Sequence, residues 1–150
     1  MGYEIKLYIG EKRPGGPFIE IGQIDLSKIG EGPLGNLIGF AQGKGSSVEF
    51  KDFKFLRDIK GKHMGMDPMA SDMFDIGMDY EFVEIWDGEE KVKEDLYGDQ
   101  LPAIPLDHIL AALKEELKGG HYRRFKLAEA FLQELTSSEW HNIYIVPFGH

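Results

Sequence analysis

Ile104-Pro105-Leu106-Asp107-His108-Ile109-Leu110-Ala111-Ala112-Leu113-Lys114-Glu115-Glu116-Leu117-Lys118-Gly119-Gly120-His121-Tyr122-Arg123-Arg124-Phe125-Lys126-Leu127-Ala128-Glu129-Ala130-Phe131-Leu132-Gln133-Glu134-Leu135 is the stretch whose reading decides the fold. In its first half Leu106, Ile109, Leu110, Leu113 and Leu117 recur at the three- and four-residue spacing that lines one side of a helix. Pro105 suits a first helical position, and Asp107 suits the positive end of the helix dipole. Two glycines interrupt the pattern, and a second amphipathic helix follows over residues 121–135. Two helices joined by two glycines form a helical hairpin, and such a pair needs an apolar surface to pack on.

Strands supply that surface. Tyr3, Ile5, Leu7 and Ile9 alternate with polar residues and predict a strand over 3–9, followed by a connection over 10–17. Residues 18–26 predict a second strand, antiparallel to the first, whose blurred alternation implies burial on both faces or a bulge at Gly22. A third strand is predicted over 48–56, and Asp67-Pro68 opens a short helix over 68–76. Residues 79–94 predict a hairpin closed by Asp87-Gly88. That closure pairs Val83 with Val92 and Glu84 with Lys91, and sets Glu81 opposite Glu94, an unfavourable like-charge contact, so either the ladder ends there or a cation or basic partner lies between them. The last strand spans 141–148, with Pro147 confining its end to an edge or terminus. The expected fold is α+β: a mainly antiparallel sheet with a C-terminal helical hairpin packed on one face, and a final strand. With no internal repeat or linker, residues 1–150 read as a single domain.

The charge is unevenly placed. The net charge is −9, and residues 61–100 hold twelve acidic against three basic side chains. The remaining 110 residues hold fourteen of each sign, so the whole imbalance lies in one segment. Such a field repels nucleic acid and favours basic partners. Five of the six methionines fall between positions 64 and 78, and methionine suits surfaces that repack against a partner. Met66, Met69, Asp72, Met73, Asp75, Asp79, Glu81 and Glu94 are therefore the candidate partner-binding residues. With no cysteine, the chain has no disulfide, thiolate metal site or cysteine nucleophile. No apolar run approaches the ~20 residues of a membrane span, and the first residues lack a secretory pattern. A cytoplasmic protein without membrane association is expected.

Motifs for small-molecule chemistry are weak. Gly30-Glu31-Gly32-Pro33-Leu34-Gly35 matches the spacing of a dinucleotide fingerprint, but Pro33 and further glycines follow where a helix must open, and no acidic residue lies at the end of a next strand about 20 residues on. The glycine-rich stretch over 29–47 reads as a mobile loop. The histidines lack metal-protease spacing, and no serine has a nucleophile-elbow context. No metal, cofactor or catalytic residue is expected, which favours a non-enzymatic protein. One further feature is the basic start of the second helix, where Arg123, Arg124 and Lys126 oppose the helix dipole. The helical wheel puts Arg124 on the apolar arc with Phe125, Ala128, Phe131, Leu132 and Leu135. Its expected partner is an internal carboxylate such as Asp95, Asp99 or Asp107. The alternative is an anion-binding site of His121, Arg123, Arg124 and Lys126, acting with the glycine-rich loop on a phosphate or nucleotide.

The Tyr3-to-Gly10 strand, Ile24-Asp25-Leu26-Ser27-Lys28, the stretch from Tyr97-Gly98-Asp99-Gln100-Leu101 to Leu113, Tyr122-Arg123-Arg124-Phe125-Lys126 and the terminal Gly149-His150 resemble uncharacterised small proteins encoded by phages and prophages. The resemblance covers the two ends and the helical pair, not the glycine-rich or methionine-rich stretches, and it carries over no catalytic residue. It implies an accessory protein acting inside a bacterial host. Combined with the acidic segment, the expected partner is a host protein with a basic surface, such as one in a defence complex, with no direct nucleic-acid binding.

Overall fold

The N-terminal alternation folds as β1 (Tyr3–Lys12), which is hydrogen-bonded antiparallel along both edges, to β2 (Phe18–Ile29) and to β6 (Ile143–Gly149). The computed structural model describes residues 3–12, 18–29, 32–42, 82–120, 123–136 and 142–149. The two-residue β5 (Ile104–Pro105) pairs with β6 at Tyr144 and Ile145, giving a four-stranded antiparallel sheet of order β2-β1-β6-β5. β5 stops short of Pro147, so that proline sits where β6 pairs on its β1 side alone among the described residues. Pro147 lacks a ladder donor and is tolerated there.

Period-two alternation sends the side chains of β1 and β6 to two separate cores. On one face Ile5, Leu7, Ile9, Ile143 and Ile145 are buried under α1 (Pro33–Ala41), α2 (Leu106–Lys118) and α3 (Arg123–Thr136). On the other, Tyr8, Val146 and Phe148 are buried with Ile85, Leu101 and Ala103. This second layer consists of the hairpin β3 (Ile85–Asp87) and β4 (Glu90–Val92) with the chain that follows it. Tyr8 and Phe148 meet edge to face, 6.2 Å between ring centres, a favoured aromatic geometry. The fold is α+β, with the helical hairpin on one face of a mainly antiparallel sheet.

Several local readings are corrected. Residues 10–12 continue the ladder rather than opening a connection, because Gly10 lets the β2 backbone approach where a Cβ would strike the Ile19 carbonyl. The bulge expected at Gly22 lies beside it, with Ile21 as the extra residue. A second bulge skips Leu26, where Ser27 adopts a positive φ of 59° and its N–H bonds Asp25 Oδ1 at 2.7 Å. This second bulge re-phases β2, so that Leu26 and Ile29 both reach the helix-side core despite their odd spacing. The predicted strand at 48–56 and helix at 68–76 lie outside the described residues.

The largest correction is α1, where a mobile loop was expected. Leu34, Leu37, Ile38 and Ala41 have helical spacing and all are buried. Gly35 and Gly39 each disfavour a helix by about 1 kcal/mol, a smaller effect than burying three large aliphatic side chains at about 1.5–3 kcal/mol each. Pro33 is the first helical residue, as its missing N–H permits. The cap is supplied by α2: Glu116 Oε1 accepts a hydrogen bond from the Leu34 N–H at 3.0 Å. A Cβ at Gly32 would run into that carboxylate, so glycine is needed there. Glu116→Ala is expected to cost about 0.5–2 kcal/mol in urea denaturation. Glu115→Ala, which breaks only an exposed pair with Lys118, should cost less than about 0.5 kcal/mol. Equal losses would contradict the capping role.

Candidate functional site

The hairpin layer is built on Ile85. Val83 and Ile85 turn toward the sheet and join the second core, which leaves Phe82, Glu84 and Trp86 on the outward side of β3 and the segment that leads into it. The observed register pairs Ile85 with Val92, Trp86 with Lys91 and Asp87 with Glu90. This differs from the expected Val83–Val92 pairing by two residues. A two-residue shift keeps every side chain on its face, so the hydrophobic pattern does not distinguish the registers. The turn does: Gly88, with φ +71°, is the first loop residue and Glu89 the second, the sign pattern of a type II′ turn. Asp87 thus belongs to the strand, where its Oδ1 accepts the Tyr8 hydroxyl hydrogen bond at 3.1 Å and ties the hairpin to β1.

The far end of this layer is fixed by buried Asp95. Its Oδ1 accepts the N–H groups of Tyr97 and Asp99 at 2.8 and 3.0 Å, and Gln42 Nε2 reaches its Oδ2 at 3.4 Å. The Leu96 N–H bonds the Gly149 carbonyl at 3.1 Å, which joins the loop to β6. The result holds apolar side chains in solvent. Leu96 and Tyr97 are 71% and 59% exposed in the loop that Asp95 holds, and Phe82 and Trp86 are 50% and 55% exposed on the outward side of residues 82–86. Residues 82–100 carry seven acidic and two basic side chains, a net of −5.

Beside β3 lies a groove of about 350 Å³, walled by Phe18, Phe82, Val83 and Trp86, with Lys12, Glu84 and Lys91 at its polar positions. Lys91 Nζ stands 5.5 Å from the centre of the Trp86 ring and 3.9 Å from Glu84 Oε2. Lys93 Nζ is 3.1 Å from Glu84 Oε1. Glu84 therefore lies between two lysines, not beside the expected Lys91 alone.

Of the predicted partner-binding residues, Glu94 is exposed and forms a bridge with Gln100. Met66, Met69, Asp72, Met73, Asp75, Asp79 and Glu81 lie outside the described residues, as does His121 of the predicted anion site. Arg123, Arg124 and Lys126 are exposed at the start of α3. Arg124 finds an internal partner, but that partner is Asp25. Arg124 Nη1 donates to the Asp25 carbonyl at 3.1 Å and lies 3.7 Å from its Oδ1. Asp95, proposed for that role, is spent on its own loop. Arg124 also lies off the packing face, since α3 buries the line Phe125, Ala128 and Leu132. Among the described residues no group of three or more acidic or histidine side chains is placed to hold a metal ion. No helix of the described residues is long and apolar enough to cross a membrane.

Phe82 and Trp86 were missed by the sequence reading, which followed charge along this segment. Their signal was present: aromatic residues at positions 82 and 86 alternate against Val83 and Ile85, so one set had to face away from the core. No known protein family matches the chain, and neither curated proteins nor solved structures give a significant match.

Burial first, and then the Asp87 carboxylate, push the Tyr8 hydroxyl well above the usual tyrosine range. An unfolded tyrosine ionises near pH ~10. Above that pH the unfolded chain releases a proton that folded Tyr8 retains, so stability falls as pH rises past about 10. Urea midpoints at about pH 9 and about pH 11 are expected to drop less in Tyr8→Phe than in the parent. An identical drop in both proteins would contradict the buried, neutral hydroxyl.

Proposed function

We propose that this chain is a non-enzymatic protein-binding module whose hairpin layer docks on a basic surface of a partner protein. The observation that carries the reading is the exposure of Phe82, Trp86, Leu96 and Tyr97 on a layer of net charge −5. Aromatic side chains with few rotamers dominate interface energetics, and an acidic surround steers a basic partner to them. Both ends of the layer are braced, by Tyr8 and by Asp95, so little ordering is required on binding. The acidic, methionine-bearing segment that precedes the hairpin extends the same charge in sequence.

The alternative is a phosphate or nucleotide binder using the basic start of α3 and the glycine-rich stretch. Two observations weigh against it. The N-terminus of α1 already receives the Glu116 carboxylate, and Arg124 is engaged by Asp25. The narrower reading is a phage-type accessory protein that acts in the host cytoplasm and inhibits a host defence protein. Its support is the resemblance of the chain ends and the helical pair to phage and prophage proteins, together with the absence of cysteine.

A fluorescent oligolysine peptide is the direct probe. Its binding is expected to weaken at least tenfold between about 50 and about 500 mM salt. Reversing Glu89, Glu90 and Glu94 to lysine should abolish it. Reversing Glu115, Glu129 and Glu134 on the helices, the same change in net charge, should weaken it far less. Equal loss in both sets would show that only overall charge is sensed and would sink the reading.

A further inference from the structure

Resting on that reading, we propose that the groove beside β3 seats a single arginine side chain of the partner, its guanidinium pairing with Glu84 and lying against Trp86 where Lys91 now stands. Three observations lead there. Phe82, Glu84 and Trp86 share the outward side of one extended segment, so the carboxylate lies between two exposed aromatic residues, about 6–7 Å from each along the chain. The site already attracts a cation of this protein, since Lys91 Nζ stands over the Trp86 ring and near Glu84. That occupant is loosely held: the Lys91 side chain is 58% exposed, and its 3.9 Å approach to Glu84 is at the limit of an ion pair.

Arginine suits this arrangement better than lysine. Its planar guanidinium can lie flat on an indole while offering paired N–H donors to a carboxylate, whereas an ammonium is a point charge that keeps its water. Lys12 also lines the groove and Lys93 Nζ holds the other Glu84 oxygen at 3.1 Å, so the groove takes one further cation and only in place of Lys91. The acidic rest of the layer supplies the attraction that brings a basic partner within reach. Lys91 is therefore a placeholder that a partner arginine displaces, so its removal should strengthen binding although the partner is basic.

The test compares two peptides on the full chain: oligolysine, and the same peptide with one central lysine replaced by arginine. The arginine peptide is expected to bind about three- to tenfold tighter. Trp86→Leu and Glu84→Gln should erase that preference while both peptides still bind, and Lys91→Met should tighten the arginine peptide further. Equal affinity for the two peptides, or a preference that survives in Trp86→Leu, would overturn the arginine seat and leave the docking reading standing. Failure of both peptides to bind would overturn both. Adenosine monophosphate is added as a competing probe, read at the Trp86 indole N–H assigned through Trp86→Phe. A shift with the nucleotide and none with the arginine peptide would make the groove an anion site instead, and would also overturn the proposal.

Discussion

Everything in this fold depends on β1 being hydrogen-bonded along both edges and buried on both faces. Ile5, Leu7 and Ile9 hold the helices on one side, and Tyr8, between two of them, holds the hairpin layer on the other. A slip of one residue in its pairing would exchange these sets and lose both cores together. The two layers, which make no shared core, are therefore registered to each other through β1 and the strand beside it. The strand beside it, β6, comes from the other end of the described chain and repeats the division, with Ile143 and Ile145 on the helix side and Val146 and Phe148 on the hairpin side.

The proposed binding surface follows from that arrangement. A short hairpin is only marginally stable in isolation. Here Ile85 is inserted in the second core, Asp87 accepts the Tyr8 hydroxyl, and the Val83 N–H bonds the Leu101 carbonyl at 2.8 Å. With the inward residues of β3 so held, its outward residues are fixed in solvent and need no packing role of their own. Glycine acts in the same way at the opposite layer. Gly32 brings the α1 N-terminus against Glu116, so a stretch that looks like a phosphate loop is completed by a carboxylate of the same chain.

The α+β class, the helical pair and the strand at each end were legible because each rests on a long periodic pattern. What was missed depended on groups brought together from afar. The helical spacing of Leu34, Leu37, Ile38 and Ala41 was visible, but the local cost of Gly35 and Gly39 masked it, and the cap that completes α1 comes from Glu116, far along the chain. The hairpin register turned on whether Gly88 is the first or second loop residue, and hydrophobic pattern does not distinguish the two. Arg124 was rightly given an internal partner, yet Asp25 became adjacent only through the packing of α3 on β2. At the candidate site the acidic excess was plain from composition, and the exposed aromatic residues were legible from alternation alone. Attention to charge hid them.

The central claim is that this protein meets a basic partner through its hairpin layer and not through the basic end of its helical pair. Backbone amide chemical-shift mapping of the full chain during titration with the arginine-bearing peptide tests it most directly. The account expects the largest shifts at residues 82–94, centred on Glu84 and Trp86, with residues 32–42 and 123–131 little changed. Shifts concentrated on α1 and the start of α3, with the hairpin silent, would contradict it.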